Sequence, residues 1–155
     1  MIKEFVTLYN TLVNLSRNKS LFSIFTDKDT FSDRILILLF HFAFFLRQYK
    51  NHTDKDYLQK FYDYFFRQIE LNLREIGYGD VSINKKMKDY VNLFHQILSD
   101  LHLWNELNKT KKEKILSNFL RNFDNIQDLT IYFDHFRVQL SEKTLNSYIK
   151  SVNNS

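Results

Sequence analysis

Cysteine and proline are both missing from these 155 residues, alanine occurs once, at Ala43, and glycine occurs only at Gly77 and Gly79. Without cysteine there is no disulfide, no thiolate zinc site and no cysteine nucleophile. Without proline nothing rigid interrupts a helix from inside, so the two glycines mark the one place where the backbone keeps unusual freedom. Long apolar runs are missing as well. The longest, Ile35 to Leu46, is twelve residues and contains His41. A membrane span needs about 20, so this run reads as a buried or interfacial helix. There is no Walker loop and no HExxH, and Gly77-Tyr78-Gly79 lacks the third glycine and the preceding strand of a phosphate cradle. No Ser/His/Asp spacing falls in a strand–turn–helix context. These absences make a non-enzymatic protein with no cofactor and no metal site the expectation.

Excess charge is slight. The formal net charge is +4, too mild to indicate nucleic acid on its own. Aromatic residues reach 17 %, with sixteen Phe and nine Tyr. The chain is also rich in Asn, Lys and Ile and nearly free of Ala, as an AT-rich genome would give, so the aromatic content carries no functional argument. The opening Met1-Ile2-Lys3-Glu4-Phe5 has neither an apolar leader nor an Arg/Ser-rich transit segment. The expectation is a soluble protein, peripheral to a membrane if it meets one.

What is present is helical period. Phe5, Leu8, Tyr9, Leu12 and Leu15 make one face of a first helix. Thr30 to Asp33 has capping-box spacing and leads into the run ending at Leu46. Thr53 to Asp56 opens the next helix in the same way, and Leu58, Tyr62, Phe65, Ile69, Leu73 and Ile76 follow one face to a stop at Gly77. The period then predicts a helix from Ser82 to Trp104, burying Met87, Tyr90 or Val91, Phe94, Leu98 and Leu101. A box at Thr110 to Glu113 precedes Ile115, Leu116, Phe119, Leu120 and Phe123. Two shorter helices follow, Ile126 to Leu140 and Glu142 to Val152, the latter capped by Ser141. Only Leu129 to Phe133 also admits a strand. The reading is one all-α domain over residues 1–155, a bundle of six or seven helices.

The segment Arg74-Glu75-Ile76-Gly77-Tyr78-Gly79-Asp80 joins the two longest helices. Gly77 ends the first, Gly79 is read as a second unusual backbone angle, and Asp80 or Ser82 can cap the second helix. Lys85, Lys86 and Lys88 then fall in the first turns, where the helix dipole disfavours cations. Placed there they concentrate positive potential suited to an anionic partner; a solvated face of a Lys-rich chain is the alternative.

These residues, with Val81-Ser82 and Lys85-Lys86-Met87-Lys88, resemble the signature of the ubiquinol–cytochrome c chaperone family. The likeness runs from about Phe31 to Leu98, with a family-like core over about 31–104. It includes the aromatic-rich Leu39 to Leu46 and Phe61 to Phe66. Asn84 stands where the family often has proline, and His95-Gln96 where it tends to have Gly-Arg. The resemblance implies an all-α, non-enzymatic assembly factor that holds newly made cytochrome b for respiratory complex III. It also implies a ribosome near the tunnel exit and a small partner assembly factor as partners. With no transit segment, the bacterial cytoplasm at the inner membrane is implied, or the mitochondrial matrix in a eukaryote.

On this reading an apolar groove between helices takes the client. Lys85, Lys86, Lys88, Arg74 and Tyr78 face a partner. Glu75, Gly77, Gly79, Asp80 and Ser82 build the turn, with Arg74 and Glu75 locking it. Two other readings stay open. One is a general ribosome- or RNA-binding module, which a second basic cluster at Lys109, Lys111, Lys112 and Lys114 would serve. The other is a haem-binding bundle using His41, or His95 and His102 seven residues apart on one helix face. His52 and His135 complete the histidines. A core histidine bonded to a carbonyl is the plain account of His41.

Overall fold

The computed structural model describes residues 2–18, 21, 31–51, 54–121 and 123–153. Seven α-helices occur among them: α1 (Ile2–Ser16), α2 (Phe31–Tyr49), α3 (Lys55–Ile76), α4 (Asp80–Asp100), α5 (Lys109–Phe119), α6 (Ile126–Ser141) and α7 (Leu145–Asn153). A single 3-10 turn, Trp104–Glu106, lies between α4 and α5. The protein is an all-α bundle. The segment Leu129 to Phe133 is helical, inside α6.

The apolar run forms α2, and α2 is the axis of the fold. A helix that is apolar all round has no face for water and must be enclosed. Every residue from Ile37 to Phe45 is buried, and α1, α4 and α6 pack against it. Each such Phe, Leu or Ile contributes roughly 1.5–3 kcal/mol by leaving water. Phe42 meets α3 and α4: its ring stacks on Phe65 at 4.0 Å and on Phe94 at 5.1 Å. Phe44 meets the other side, stacked on Phe133 of α6 at 5.2 Å and edge-on to Trp104 at 5.1 Å. Helix α1 lays Phe5 against Tyr57, Phe61 and Tyr64 of α3, so its apolar face belongs to the core.

His41 is a wholly enclosed polar ring on α2, and a buried polar group is costly unless bonded. Its Nδ1–H donates to the Ile37 carbonyl at 2.9 Å, with Ser16 Oγ also at 3.3 Å, and Nε2 accepts from the Tyr132 hydroxyl at 2.6 Å. Both nitrogens are used. One imidazole therefore ties α1, α2 and α6 together. Tyr49, at the end of α2, donates its hydroxyl to the Leu140 carbonyl at 3.0 Å, closing the last turn of α6.

Several local expectations shift. The cap of α3 is Asp54, accepting from the Asp56 N–H; Thr53, like Thr30 and His52, lies outside the described residues. The cap of α5 is Asn108, which accepts from the Lys111 N–H at 2.9 Å, in place of Thr110. Thr144 serves α7 by accepting the Ser147 N–H at 3.1 Å; Ser141 instead ends α6, donating back to the Val138 carbonyl. In α1 Ser16 is buried beside Leu12, its hydroxyl donating to the Leu12 carbonyl, while Leu15 is partly buried against the core. Helix α4 starts at Asp80 and stops at Asp100, so Trp104 lies beyond it. At that end Arg47 caps the Leu98 carbonyl, left without an intrahelical partner, donating to it from Nε at 2.9 Å and from Nη2. Trp104 is held separately: its indole N–H donates to Asp134 at 2.8 Å, and Lys112 pairs with the same carboxylate at 3.0 Å.

Candidate docking corner and client groove

The corner between α3 and α4 is built by Gly77, which has φ +109° and ψ 12°. Its N–H donates to the Arg74 carbonyl at 3.1 Å, and the Tyr78 N–H to the Leu73 carbonyl at 3.2 Å. That pair of bonds closes the end of α3 around a left-handed residue. Arg74 then reaches across the turn to Asp80 at 2.6 Å, while also meeting Glu70 at 3.5 Å. The hydrogen bond and charge of Asp80 push the Arg74 guanidinium above its usual range, so it stays a cation.

Gly79 is not a second unusual angle. Its φ of −75° and ψ of 163° are extended backbone, and it occupies the cap position of α4 with no side-chain acceptor. Asp80 therefore does not cap α4; its carboxylate is taken by Arg74, one residue inside the helix. Ser82 and Glu75 are exposed. The two glycines have opposite needs, although a Cβ on either would meet no atom within 4 Å. Gly77→Ser is expected to cost about 1 kcal/mol or more, because L side chains resist positive φ. Gly79→Ser is expected to stabilise by about 0.5–1 kcal/mol, since it adds the missing cap acceptor at a compatible angle. Thermal melts of the two single variants check this; equal shifts would contradict the corner described here.

The three lysines do not form one cluster. Lys86 is half-buried, its ammonium 4.8 Å from the centre of the Tyr78 ring. Lys85 and Lys88 are exposed on the face of α4 opposite the buried Ile83, as the helical repeat dictates. Sequence reasoning missed the apolar part of this corner: Ile76 is 54 % exposed and Val81 86 %. Ile76 continues the core period of α3 in sequence, but Gly77 ends the helix before anything covers it. The second basic cluster is partly spoken for. Lys112 pairs with Asp134 and lies 5.4 Å over the Trp104 ring, and Lys109 approaches Glu113 at 4.0 Å.

A groove lies between the end of α2, the first half of α3 and the last half of α4. Leu46, Leu58, Tyr62 and Leu98 line it, Lys50, Lys55 and Gln59 edge it, and its volume is about 500 Å³. Its wall is fixed by Tyr62, whose hydroxyl donates to His95 Nε2 at 2.8 Å. Burial, aided by the Asp63 charge, raises the Tyr62 phenol, so it remains a donor. His95 also borders a second, more polar depression lined by Asn92, Gln96, Ser99, Asp100 and Phe119.

The histidine pair proposed for haem does not exist as a pair. His102 lies past the end of α4, where its Nδ1 is 3.3 Å from Arg47, and His95 is engaged by Tyr62. His41 has no lone pair left for iron. Among the described residues no group of three or more His, Cys, Asp or Glu could hold a metal ion, and no helix is long and apolar enough to cross a membrane.

An enclosed aromatic axis, a cation-bearing hairpin corner and an open apolar groove define the class: an all-α helical bundle whose exposed chemistry is that of surfaces. The chain belongs to the ubiquinol–cytochrome c chaperone family, whose sequence model matches residues 23–125, about two-thirds of it. The resemblance read from the turn thus extends further in both directions. Neither a curated protein nor a solved structure gives a significant match. Membership supports a chaperone role in the assembly of complex III, and with it a non-enzymatic one.

Proposed function

We propose that the protein is an assembly chaperone for ubiquinol–cytochrome c reductase that holds newly made cytochrome b, with a hydrophobic client segment seated in the α2–α3–α4 groove. The family match carries the role. The groove supports the placement, because Leu46, Leu58, Tyr62 and Leu98 give it an apolar floor, as recognition of a helix by a groove needs. A ribosome near the tunnel exit and a small partner assembly factor belong to the same proposal, as does residence in the bacterial cytoplasm or mitochondrial matrix.

Two measurements test this. Membranes from a deletion strain are expected to lose the b-type haem absorption of complex III selectively; an unchanged spectrum would remove the role. A photocrosslinker placed at Gln59, on the groove edge, is expected to capture cytochrome b in translating cells, and one at the exposed Lys143 to capture little. Equal capture from both positions would remove the groove as the client site while leaving the role intact.

A further inference from the structure

We propose that the α3–α4 corner is a lipid-contacting tip that seats on an anionic bilayer surface. Within six residues it exposes three large apolar side chains, Ile76 at 54 %, Tyr78 at 39 % and Val81 at 86 %. They are held out rigidly by the Gly77 turn and the Arg74–Asp80 pair. A monomer gains nothing from displaying them to water.

The cations are arranged around that tip. At 100° per residue, Lys88 lies about 20° and Lys85 about 40° from Val81 around α4, and both are exposed. Lys86 lies over Tyr78. Acidic groups share the neighbourhood. Asp80 is held by Arg74 at 2.6 Å, and Glu75 is exposed beside Ile76 at the end of α3. Asp89 lies about 40° round α4 from Lys85 and about 80° from Val81, so Lys88 is the cation set nearest Val81 around the helix. Apolar side chains that enter the headgroup boundary, with lysines beside them for the phosphates, are what an interfacial segment needs. RNA is the less suitable partner. It uses lysines and open aromatic faces, yet it has no use for Ile76 or Val81, and a face of Tyr78 is already covered by Lys86. This surface is separate from the groove and does not depend on the client reading.

Flotation of the full chain with vesicles at low salt tests it. The protein is expected to float with phosphatidylcholine vesicles containing phosphatidylglycerol and not with phosphatidylcholine alone. Lys85→Gln/Lys88→Gln is expected to weaken partitioning about fivefold per lysine. Ile76→Ser/Val81→Ser, at unchanged charge, should weaken it as well. All four positions are exposed, and helical circular dichroism verifies that both variants fold. Absence of flotation, equal flotation on the two lipids, indifference to either double variant, or capture by ribosomal RNA in place of vesicles would each overturn the proposal.

Discussion

Phe42→Ala is expected to lower stability by about 3–5 kcal/mol, the usual range for truncating an enclosed phenylalanine. The ring is fully buried. It stacks on Phe65 at 4.0 Å with planes 26° apart and on Phe94 at 5.1 Å with planes 21° apart, and it meets Phe61 edge-on at 5.5 Å. Those three neighbours stand on α3 and α4, the two arms of the hairpin that carries both candidate surfaces. Removing the ring leaves a void whose walls are other rings, and rings refill a void poorly because they cannot bend into it. For a chain of this length the melting temperature should fall by about 6–20 °C, at about 2–4 °C per kcal/mol. Urea unfolding supplies the free energy. A loss below about 1 kcal/mol would mean that α2 does not lie where the hairpin closes over it.

The second large effect is a dependence on pH. Burial holds the His41 imidazole down at about 4, although its bond to the Ile37 carbonyl acts the other way; the ordinary value is 6.5. Between those limits the unfolded chain takes up a proton that the folded chain refuses. Stability contributed here is complete above pH 6.5 and declines as pH falls towards 4, by about 3 kcal/mol in all. His41→Gln removes the titration while costing packing. The wild-type advantage over this variant, measured by urea unfolding, should therefore be largest near pH 7.5 and about 3 kcal/mol smaller at pH 4. Parallel profiles for the two proteins would show that the ring is not held neutral by enclosure.

Much of the architecture was legible because helical period survives in a chain without proline. The identity of α2 as the enclosed helix followed from its apolar run, and the end of α3 at Gly77 followed from one residue type. Errors concentrated where a tertiary contact sets the boundary. Nothing near Leu98 announces that α4 stops at Asp100, and the group that caps its last turn, Arg47, is 51 residues away. The caps were misplaced by one to three residues because Asn and Asp compete with Thr and Ser for the same role, and only backbone angle decides. At the corner, glycine content suggested two odd angles where one suffices. Lysine content suggested one cluster, whereas helix geometry separates Lys86 from Lys85 and Lys88. The groove was foreseeable only as a kind of site: its lining comes from three helices, and no local pattern in Leu46, Tyr62 or Leu98 links them.

The bond between His41 and Tyr132 spans 91 residues, and that separation has a consequence in time. Helix α2 is synthesised early, yet Tyr132, Phe133 and Phe136, which cover its His41 side, come from α6. At about 5–20 residues per second, α6 follows α2 out of the ribosome by about 5–18 s. For that interval one side of the most apolar of the described helices has no cover from its own sequence. This chaperone-family chain is thus, while it is being made, itself an unfinished hydrophobic chain in need of shelter.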